Sequence, residues 1–406
     1  MIFELLGPDD TTRLGRLTTP HGVVETPAFM PVGTQGAVKS LTPADLREVG
    51  AQIVLANTYH LFLRPGAGLV RELGGLHRFM AWDGPILTDS GGYQVWSLAA
   101  LRTIGEEGVR FRSHLDGGTE HLLTPELAVS VQHELGADIL HPLDECLPHP
   151  ATRAETEASL ARTLRWAGRA KAAHAAGARP GQACFGIVQG GMYGDLRRAA
   201  AEAICAIGFD GYALGGFAVG EPRGLMVELV TDTAAALPAP RPRYLMGVGR
   251  PDDLVEAVAA GVDLFDCVLP TRHARTGQLF TREGILTIKH AAHARDPRPI
   301  DPDCPCYACR HFSRAYLRHL FLARELTVYR LHTLHNLTFY LGLMAEMRAA
   351  IAAGAFARLR RRILDAYGSA EAEPPRGRDE ARRMPRESRP SWSIVPADPP
   401  AQEDRP

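Results

Sequence analysis

The stretch ACFGIVQGGMYGDLRRAAAEAICAIGFDGYAL, residues 183–214, decides the fold. It starts with an apolar run at 183–188 and ends with another at 211–214, each of the length expected for a buried strand. Between the runs, apolar residues recur at a helical spacing and form one face of a helix: Met192, Leu196, Ala200 and Ile204. The stretch therefore predicts one β-α-β unit.

The same alternation of short apolar runs and amphipathic helices extends over about 270 residues. Eight runs are strand candidates: 28–31, 52–56, 85–88, 138–141, 183–188, 211–214, 243–247 and 263–266. Eight β-α units predict the α/β class and, within it, a (β/α)8 TIM barrel. A doubly wound sheet is the alternative, but no G-x-G-x-x-G sequence follows the first strand candidate.

Two of the predicted helices carry clear start and stop signals. Thr42-Pro43 and Thr124-Pro125 each place an N-cap residue before a proline at the first helical position. Gly50 and Gly136 then follow as C-terminal glycines. These signals predict helices of definite length between the strands.

Composition limits the classes of protein to consider. No run of about 18 apolar residues occurs, and the N-terminus lacks a basic segment followed by an apolar core, so neither a membrane span nor a signal peptide is expected. The seven cysteines are an odd number, and three of them cluster at 304–309. That pattern fits a metal site in a reducing compartment better than a disulfide framework, so we expect a cytoplasmic protein.

The net charge of −1 indicates no general attraction to nucleic acid, but basic residues cluster locally. Residues 269–298 hold six Lys or Arg against two acidic residues, and residues 310–330 hold five Arg against one Glu. These segments are where a polyanion would bind, although basic runs are more often solvent-exposed surface without a ligand. Charge alone does not decide between the two.

Polar groups or glycines follow six of the predicted strands: Asp89, Asp144, Gln189, Gly215-Gly216, Met246-Gly247 and Asp266. The carboxyl ends of barrel strands meet at one rim, which carries the chemistry of TIM-barrel enzymes. A single Asp after a strand is most often a helix cap or a turn residue. The glycines of DSGGYQ (89–94) and QGG (189–191), however, leave room for a flat ligand close to the backbone.

Two or three carboxylates on one rim suit glycosyl transfer, in which one attacks or stabilises the anomeric carbon and another handles a proton. They would also suit a divalent metal site. Asp89, Asp144 and Asp266 have no Glu or His at compact ligand spacing, which favours the metal-free interpretation.

The most specific local pattern is C-x-C-x2-C at Cys304, Cys306 and Cys309, followed by His332 and His335. Three thiolates and one imidazole form a closed tetrahedral set, which is typical of structural zinc. The spacing alone fits either histidine.

A helix is predicted at about 310–326, between the thiolates and the histidines. One of its faces is apolar (Phe312, Tyr316 and Leu320), and the opposite face carries Arg310, Arg314 and Arg318. Zinc would fix this helix on the barrel with its arginines turned outward. Such a stripe would hold a phosphate backbone or merely keep the surface soluble.

The expected domain organisation follows from these assignments. A TIM-barrel catalytic domain spans 1–290, with a small hairpin inserted at about 103–123, and a zinc-binding insertion spans 291–335. Closing helices at 336–368 pack on the barrel. Residues 369–406 hold eight prolines, mixed charge and few apolar residues, so the tail is predicted to be disordered.

Taken together, these segments resemble the tRNA-guanine transglycosylase family in its bacterial form. The motifs that carry the resemblance are TPAFMPVGTQGAVKSLTP (26–43), NTYHL (57–61), DSGGYQ (89–94), LDEC (143–146), GIVQGG (186–191), GYALGGFAVGE (211–221), YLMGVG (244–249), FDCVLPTRHARTGQ (265–278) and the cysteine cluster. The resemblance covers nearly all of the chain outside the tail.

The resemblance implies roles for the rim residues. Asp266 would be the nucleophile that attacks the ribose anomeric carbon, and Asp89 would act as general acid and base. The base would be bound by Ser90, Tyr93, Gln94, Asp144, Cys146, Gln189, Gly215, Gly216, Phe217, Val219, Tyr244 and Met246. Arg272 and Arg275 would grip nucleotides beside the wobble position. One structural Zn²⁺ per subunit would be held by Cys304, Cys306, Cys309 and His335.

The resemblance also implies the reaction and the partners. A pentosyltransferase would exchange the wobble guanine of GUN-anticodon tRNAs (Asp, Asn, His and Tyr) for 7-aminomethyl-7-deazaguanine (preQ1). The reaction would pass through a covalent tRNA-aspartate intermediate and serve queuosine biosynthesis. Cys146 and Val219 match bacterial rather than eukaryotic members. The partners would be a tRNA anticodon stem-loop, the deazaguanine base and a second copy in a homodimer, with no membrane.

Two positions depart from the family pattern. Phe217 stands where a leucine is common, and His141-Pro142-Leu143 replaces a more apolar approach to Asp144. The alternative functions are a catalytically silent tRNA-binding subunit and a metal-dependent barrel hydrolase. The silent subunit would be expected to have lost some of the aspartates or zinc ligands, and the hydrolase would depend on Mg²⁺ or Mn²⁺. The intact residues favour the transglycosylase.

Overall fold

The computed structural model describes residues 1–7, 11–94, 102–113 and 117–368. The strands, in chain order, are β1 (Ile2–Leu5), β2 (Gly15–Thr19), β3 (Gly22–Thr26), β4 (Ala28–Met30), β5 (Val54–Ala56), β6 (Ile86–Thr88), β7 (Arg102–Ile104), β8 (Val109–Arg112), β9 (Glu120–Leu123), β10 (Ile139–Leu140), β11 (Ala183–Val188), β12 (Gly211–Leu214), β13 (Arg243–Leu245), β14 (Leu264–Asp266), β15 (Gln278–Thr281) and β16 (Gly284–Thr287).

The helices of the same residues are α1 (Pro43–Glu48), α2 (Thr58–Leu63), α3 (Ala67–Glu72), α4 (Gly75–Met80), α5 (Pro125–Leu135), α6 (Arg153–Gly177), α7 (Gly194–Ile207), α8 (Arg223–Ala235), α9 (Pro251–Ala259), α10 (Leu269–Thr276), α11 (Tyr307–His311), α12 (Arg314–Ala323), α13 (Leu326–Ala352) and α14 (Phe356–Tyr367). A short 3-10 turn lies at Ala291–His293.

Eight strands form one parallel sheet in the order β4-β14-β13-β12-β11-β10-β6-β5. The sheet closes because a parallel bridge joins Val32, just after β4, to Leu55 in β5. The Gly33 amide also donates to the Leu55 carbonyl at 2.6 Å. All eight strands lie within the eight apolar runs identified in the sequence. The predicted (β/α)8 barrel is confirmed.

The barrel strands are buried on both faces, which explains their nearly continuous apolar sequence. An apolar cluster with members from all eight barrel strands also contains Leu17 and Val24 of the β2-β3 hairpin. The Met1 amino group donates to the carbonyl of Gly181, just before β11. The N-terminal antiparallel sheet β1-β2-β3 therefore covers the amino ends of the barrel strands and leaves their carboxyl ends for a site.

The predicted helix signals work as expected. The Thr42 hydroxyl accepts from the Asp45 amide at 3.3 Å, and the Asp45 carboxylate accepts from the Thr42 amide at 2.8 Å, which makes a full capping box. Thr124 caps α5 in the same way through the Leu127 amide. Gly50 and Gly136 adopt φ of 80° and 77°, the left-handed conformation that ends a helix at low cost for glycine.

The insertion after the third barrel strand holds more than the hairpin expected at about 103–123. Strands β7, β8 and β9 form an antiparallel sheet in that order. Trp166 of α6 packs in the same apolar cluster as Val109, Phe111 and Leu123. The third strand was not recognised in the sequence because Glu120–Leu123 begins with polar residues and lies at an edge.

The expected single helix at 310–326 is wrong. Two helices, α11 and α12, are separated at Phe312 and Ser313, where Phe312 has an extended backbone. The Ser313 hydroxyl accepts from the Tyr316 amide at 3.2 Å and so starts a new helix. A serine inside a helical pattern was the available signal.

The outward arginine stripe is also only partly correct. Arg314 is turned inward, where its guanidinium donates to the carbonyls of Pro299 and Ile300 at 2.8 Å and pairs with Asp296. Tyr316, expected on the packed face, is 45 % exposed. The break between α11 and α12 changes the direction in which the side chains after Ser313 point. Arg310, Arg314 and Arg318 therefore do not form one outward row.

The helix expected near 336–352 begins at Leu326, so the expected boundary after residue 335 falls inside α13. The ion pair between Arg330 of α13 and Asp45 of α1 ties this helix to the first barrel helix. The tail at 369–406 lies outside the described residues. Among the described helices, none is both long and apolar enough to cross a membrane.

Candidate active site

Six of the residues singled out in the sequence lie at the carboxyl ends of the barrel strands. Four of them directly follow a strand: Asp89 after β6, Gln189 after β11, Gly215 after β12 and Met246 after β13. Asp144 follows β10 by four residues, and Asp266 ends β14. The parallel sheet brings these positions to one rim, as the sequence predicts.

Asp266 is held by two donors on one oxygen. The Tyr244 hydroxyl donates to Oδ1 at 2.6 Å, and the Gly247 amide donates to the same atom at 2.8 Å. No group of the described residues donates to Oδ2. Burial raises the pKa of this carboxyl, while the two hydrogen bonds lower it. The arrangement fixes the carboxylate in one orientation and leaves one oxygen available as a nucleophile.

Asp89 is buried and held by the residues that open α2. The Asn57 amide group donates to Oδ2 at 2.6 Å, and the Thr58 backbone amide donates to Oδ1 at 2.7 Å. The pKa of Asp89 is raised to about 6. Burial is the main cause and the nearby charge of Asp266 adds to the rise, while the hydrogen bonds from Asn57, Thr58 and Gln94 oppose it. A carboxyl with this pKa can hold and release a proton near neutral pH.

Asn57 and Thr58 were part of a quoted motif, but no role was assigned to them from the sequence. They directly follow the strand candidate at 52–56, so they stand at the same rim as the predicted site residues. That position was the signal that could have identified them. The Thr58 hydroxyl also donates to the Asp89 carbonyl at 2.6 Å, which fixes the backbone of Asp89 as well as its side chain.

Asp144 is the third carboxylate of the rim and, like Asp89, is buried. The Ser90 hydroxyl donates to Oδ1 at 2.6 Å and the Gln189 amide donates to Oδ2 at 2.7 Å. Burial raises the pKa of Asp144, and these two hydrogen bonds oppose the rise. A Cβ on Gly92 would lie 2.9 Å from Oδ1 of Asp144, so the second glycine of DSGGYQ is required by this close approach.

His141, which departs from the family pattern, is a core residue. Its Nδ1 donates to the Thr88 carbonyl at 2.8 Å, and its ring lies 5.5 Å from the ring of Tyr244. Burial lowers the pKa of His141 to about 4, so the imidazole is neutral at physiological pH. It packs between β6 and the barrel interior and does not take part in holding Asp144.

The loop after β12 forms another wall of the site. Gly216 has φ +73°, and a Cβ there would collide with the Gln189 side chain. The amides of Ala218 and Val219 both donate to the Glu221 carboxylate, at 2.6 and 2.9 Å. Phe217 is buried, with its ring 3.8 Å from the guanidinium of Arg197. Neither Glu221 nor Arg197 was singled out in the sequence.

A cavity of about 290 Å³ opens beside this wall. Its lining includes Gln189, Gly216, Val219, Glu145 and Tyr193. Asp89 and Asp266 are not among the lining residues, so the cavity adjoins the base-reading wall and not the two carboxylates. Cys146 lies buried nearby, and burial raises the pKa of its thiol to about 12, so the side chain is a neutral thiol.

The outer edge of the site carries an aromatic ring and two cations. Tyr93 is 49 % exposed, and the charge of Arg272 is close enough to lower its pKa against the larger rise from burial. Arg272 and Arg275 lie one turn apart on α10 and are exposed. Met246, across the rim, is half-buried. The edge can therefore contact both a flat ring and an anionic chain.

The cysteine cluster forms a compact set of four donors. The ligand atoms of Cys304, Cys306, Cys309 and His335 all lie within 4.8 Å of one another. The His335 Nε2–H donates to the Phe280 carbonyl at 2.8 Å, so Nδ1 carries the lone pair and faces the thiols, 3.3 Å from Cys309 Sγ. His332 instead directs Nδ1 to the Ala274 carbonyl at 3.2 Å. These four residues could hold a metal ion, and the donor set is compatible with zinc.

Comparisons with known proteins agree with this architecture. Residues 9–369 match the family described as queuine tRNA-ribosyltransferase. The chain is 60 % identical over 367 residues to the queuine tRNA-ribosyltransferase of Solidesulfovibrio magneticus, covering 90 % of this chain and 98 % of that one. It is 58 % identical over 354 residues to that of Aromatoleum aromaticum (87 % and 95 % covered) and 54 % identical over 367 residues to that of Pelotomaculum thermopropionicum (90 % and 98 % covered).

The family match spans nearly all the described residues, and the relatives are aligned over almost their whole length. The resemblance stated from the motifs is thus confirmed. The chain belongs to the queuine tRNA-ribosyltransferase family of tRNA-guanine transglycosylases, which are pentosyltransferases.

Proposed function

We propose that the protein exchanges the wobble guanine of GUN-anticodon tRNAs for preQ1 through a covalent bond between Asp266 and the ribose. One observation carries this proposal: Asp266 has one oxygen fixed by two donors and the other free, beside a second carboxyl, Asp89, whose pKa is raised to about 6. A fixed nucleophile next to a proton carrier is what glycosyl transfer with retained configuration requires.

In the first displacement, Oδ2 of Asp266 attacks C1′ of the wobble ribose, and the bond from C1′ to guanine breaks. Protonated Asp89 supplies a proton to the departing guanine. In the second displacement, ionised Asp89 removes a proton from the incoming base, which attacks C1′ and releases Asp266. Two inversions at one carbon retain the configuration.

The base would be read by groups on two sides of the pocket. Asp144, Gln189 and the backbone at Gly216 and Phe217 supply hydrogen bonds to its edges. Tyr93 and Met246 stack on its two faces, since both stand at the outer edge of the rim. Ser90 and Gln94 hold the carboxylates in place, and Gly215, Cys146, Val219 and Tyr244 shape the walls.

The tRNA partner would be gripped from α10. Arg272 and Arg275 present two cations on one exposed helix face beside the pocket. Neither residue is engaged in an ion pair with the described residues, so both remain available to phosphates. The wobble base lies in a single-stranded loop, where extrusion costs less than it does from a duplex.

One structural Zn²⁺ would be held by Cys304, Cys306, Cys309 and His335. The four donors leave no coordination position for a substrate, and they connect the cysteine segment at 304–309 to His335 of α13. When bound, the ion crosslinks a region whose own apolar cluster is small.

A second copy of the chain is the proposed partner for an exposed aromatic group near the zinc ligands. The ring of Phe312 contacts the rings of both Tyr307 and Tyr316, which are 38 % and 45 % exposed. Exposed aromatic rings in contact with one another are typical of protein interfaces. A Tyr316→Glu variant is expected to shift a dimer toward monomer in light scattering, and an unchanged mass would reject this surface. We propose a cytoplasmic location for the assembled enzyme.

The exchange itself is tested with unmodified GUN-anticodon tRNA and labelled guanine or preQ1. We expect label at the wobble position with wild type and none with Asp266→Ala, whose tRNA affinity should be largely retained. A tRNA–protein adduct on a denaturing gel tests the covalent step. Equal incorporation by wild type and Asp266→Ala would reject the nucleophile, and a requirement for added Mg²⁺ or Mn²⁺ would favour a metal-dependent hydrolase.

A further inference from the structure

Arg197 of α7 is fully buried behind the wall that carries the base-reading backbone. Its Nε donates to the Gly191 carbonyl at 2.7 Å, and its two terminal nitrogens both donate to the Gly215 carbonyl at 3.1 Å. One of them also reaches the Gly216 carbonyl at 3.4 Å. A single guanidinium thus joins the QGG loop after β11 to the loop after β12.

The charge of Arg197 is not neutralised by direct pairing. It forms no ion pair with any described residue, and its contacts are backbone carbonyls and the ring of Phe217, 3.8 Å away. Burial lowers the pKa of Arg197 to about 9, while the more distant Glu221 raises it. A buried cation without a paired carboxylate is costly, so a role confined to packing does not account for it.

The hydrogen bonds to Gly215 act on one peptide group. The Gly215 carbonyl and the Gly216 N–H belong to the same trans peptide and point in opposite directions. Arg197 fixes the carbonyl from behind, so the N–H is directed away from α7. No described residue accepts from the Gly216 N–H, and its neighbour across the wall is Gln189, which reaches Asp144. The free N–H therefore faces the base site.

A cation on the carbonyl also strengthens the N–H of the same peptide as a donor, because hydrogen bonds in series polarise one another. We infer that Arg197 is a positioning residue that sets the specificity of the site for a purine bearing a ring carbonyl, by orienting and polarising the Gly215–Gly216 peptide. This inference rests on the proposed base exchange. Arg197 itself does not touch the base.

The test compares Arg197→Met, Arg197→Lys and the matched control Arg198→Met, whose side chain is on the same helix and 58 % exposed. For each protein we would compare the KM for labelled guanine with the inhibition constant of 2-aminopurine, which lacks the ring carbonyl. The KM for tRNA and the thermal unfolding of each protein are measured as controls. Exchange by wild type tests the proposed function separately from any effect of the variants.

For Arg197→Met we expect the KM for guanine to rise on the order of tenfold to a hundredfold, as for loss of a charge-assisted hydrogen bond. The inhibition constant of 2-aminopurine should rise less than threefold, and the KM for tRNA should stay within about twofold. Arg197→Lys keeps the positive charge but cannot donate two hydrogen bonds to the Gly215 carbonyl in the geometry of a guanidinium, so its KM for guanine should be intermediate. Arg198→Met should match wild type.

Equal losses for guanine and 2-aminopurine would overturn the inference, because they would indicate a collapsed pocket rather than a lost donor. An unchanged guanine KM in Arg197→Met would overturn it too. If Arg197→Met does not fold, the same comparison of the two bases in Arg197→Lys decides. No exchange by wild type would reject the proposed function itself.

Discussion

The hydroxyl of Tyr244 donates a 2.6 Å hydrogen bond to Oδ1 of Asp266, across the neighbouring strands β13 and β14. Tyr244 is buried and Asp266 is half-buried at the rim. Burial of the tyrosine and, after it, the negative charge of Asp266 raise the pKa of Tyr244 well above its ordinary value. The tyrosine is therefore a permanent donor at any physiological pH. It fixes which oxygen of the carboxylate is engaged and which is free.

Tyr244→Phe is expected to lower kcat about tenfold to a hundredfold, because it removes a hydrogen bond to a charged group that orients the nucleophile. Affinity for tRNA should change little. Tyr367→Phe is the control, since its hydroxyl donates to the Thr281 carbonyl at 2.5 Å, outside the rim. Single-turnover adduct formation on a denaturing gel measures the step. Equal rates for Tyr244→Phe and wild type would argue against orientation by this bond.

The pH dependence should follow Asp89. Its pKa is raised from an ordinary value near 4 to about 6, mainly by burial, so the acid form needed for the first displacement persists to higher pH. We expect kcat/KM for tRNA to be level below pH 6 and to fall above it, by about tenfold for each further unit. Asp89→Asn should lose most of the activity.

A rate profile between pH 5 and 9 provides the measurement. Burial raises the pKa of the Tyr93 hydroxyl and of the Cys146 thiol above their ordinary values, so neither group titrates in this range, and a limb that falls near pH 6 reports the titration of Asp89. A profile that stays flat from pH 5 to 9 in wild type would contradict acid catalysis by Asp89. A limb that rises with pH would instead indicate that ionisation of a carboxyl limits the rate, either Asp89 acting as a base or the nucleophile Asp266, whose pKa burial also raises.

At the amino end of the barrel, Asp138 accepts from His21 Nδ1 at 2.7 Å, His77 Nε2 at 3.2 Å and the Ile86 amide at 2.8 Å. Burial would raise the pKa of Asp138, but these hydrogen bonds outweigh burial and lower it. A lowered pKa means that the contribution to stability is present above the ordinary Asp pKa. That contribution is lost as the pH falls through the lower folded-state value.

Asp138→Asn is therefore expected to lower the free energy of unfolding by about 1–3 kcal/mol at pH 7, the usual cost of disrupting a buried charged network. The difference from wild type should shrink as the pH approaches 3. Urea unfolding at both pH values measures it. The exposed Asp83→Asn, whose carboxylate pairs with Arg47 at the surface, is the control and should cost much less. A pH-independent difference would exclude the ionised carboxylate as its source.

The barrel could be predicted from the sequence because each strand is a short apolar run and six of the eight runs are followed by polar residues or glycines. The choice between His332 and His335 could not be made from spacing, since it depends on which ring donates to Phe280 and which to Ala274. Arg197 was missed for a related reason. It has the helical position of a surface arginine, and only the loops after β11 and β12 bury it.

The metal site gives a prediction about stability. Cys309→Ser should reduce bound zinc from one per chain to none by elemental analysis and lower the melting temperature by several degrees, since a structural site contributes folding free energy. Guanine binding should persist, because the ligands lie outside the rim. Cys205→Ser, a half-buried cysteine of α7 outside the cluster, should retain the metal. Full zinc content in Cys309→Ser would remove this residue from the ligand set.

Variants of α10 test whether this helix binds the tRNA without contributing to binding of the base. Arg272→Ala combined with Arg275→Ala should raise the KM for tRNA and leave the KM for guanine unchanged, because the side chains face outward beside Tyr93. Each phosphate contact to a single strand contributes about 0.7 to the slope of log affinity against log salt, so the double variant should flatten the slope by up to about 1.4. Arg358→Ala combined with Arg361→Ala, on the exposed face of α14, removes the same two charges away from the rim and should leave the slope as in wild type. If the two double variants weaken tRNA binding equally, the effect is one of net charge, and α10 is not the point of contact.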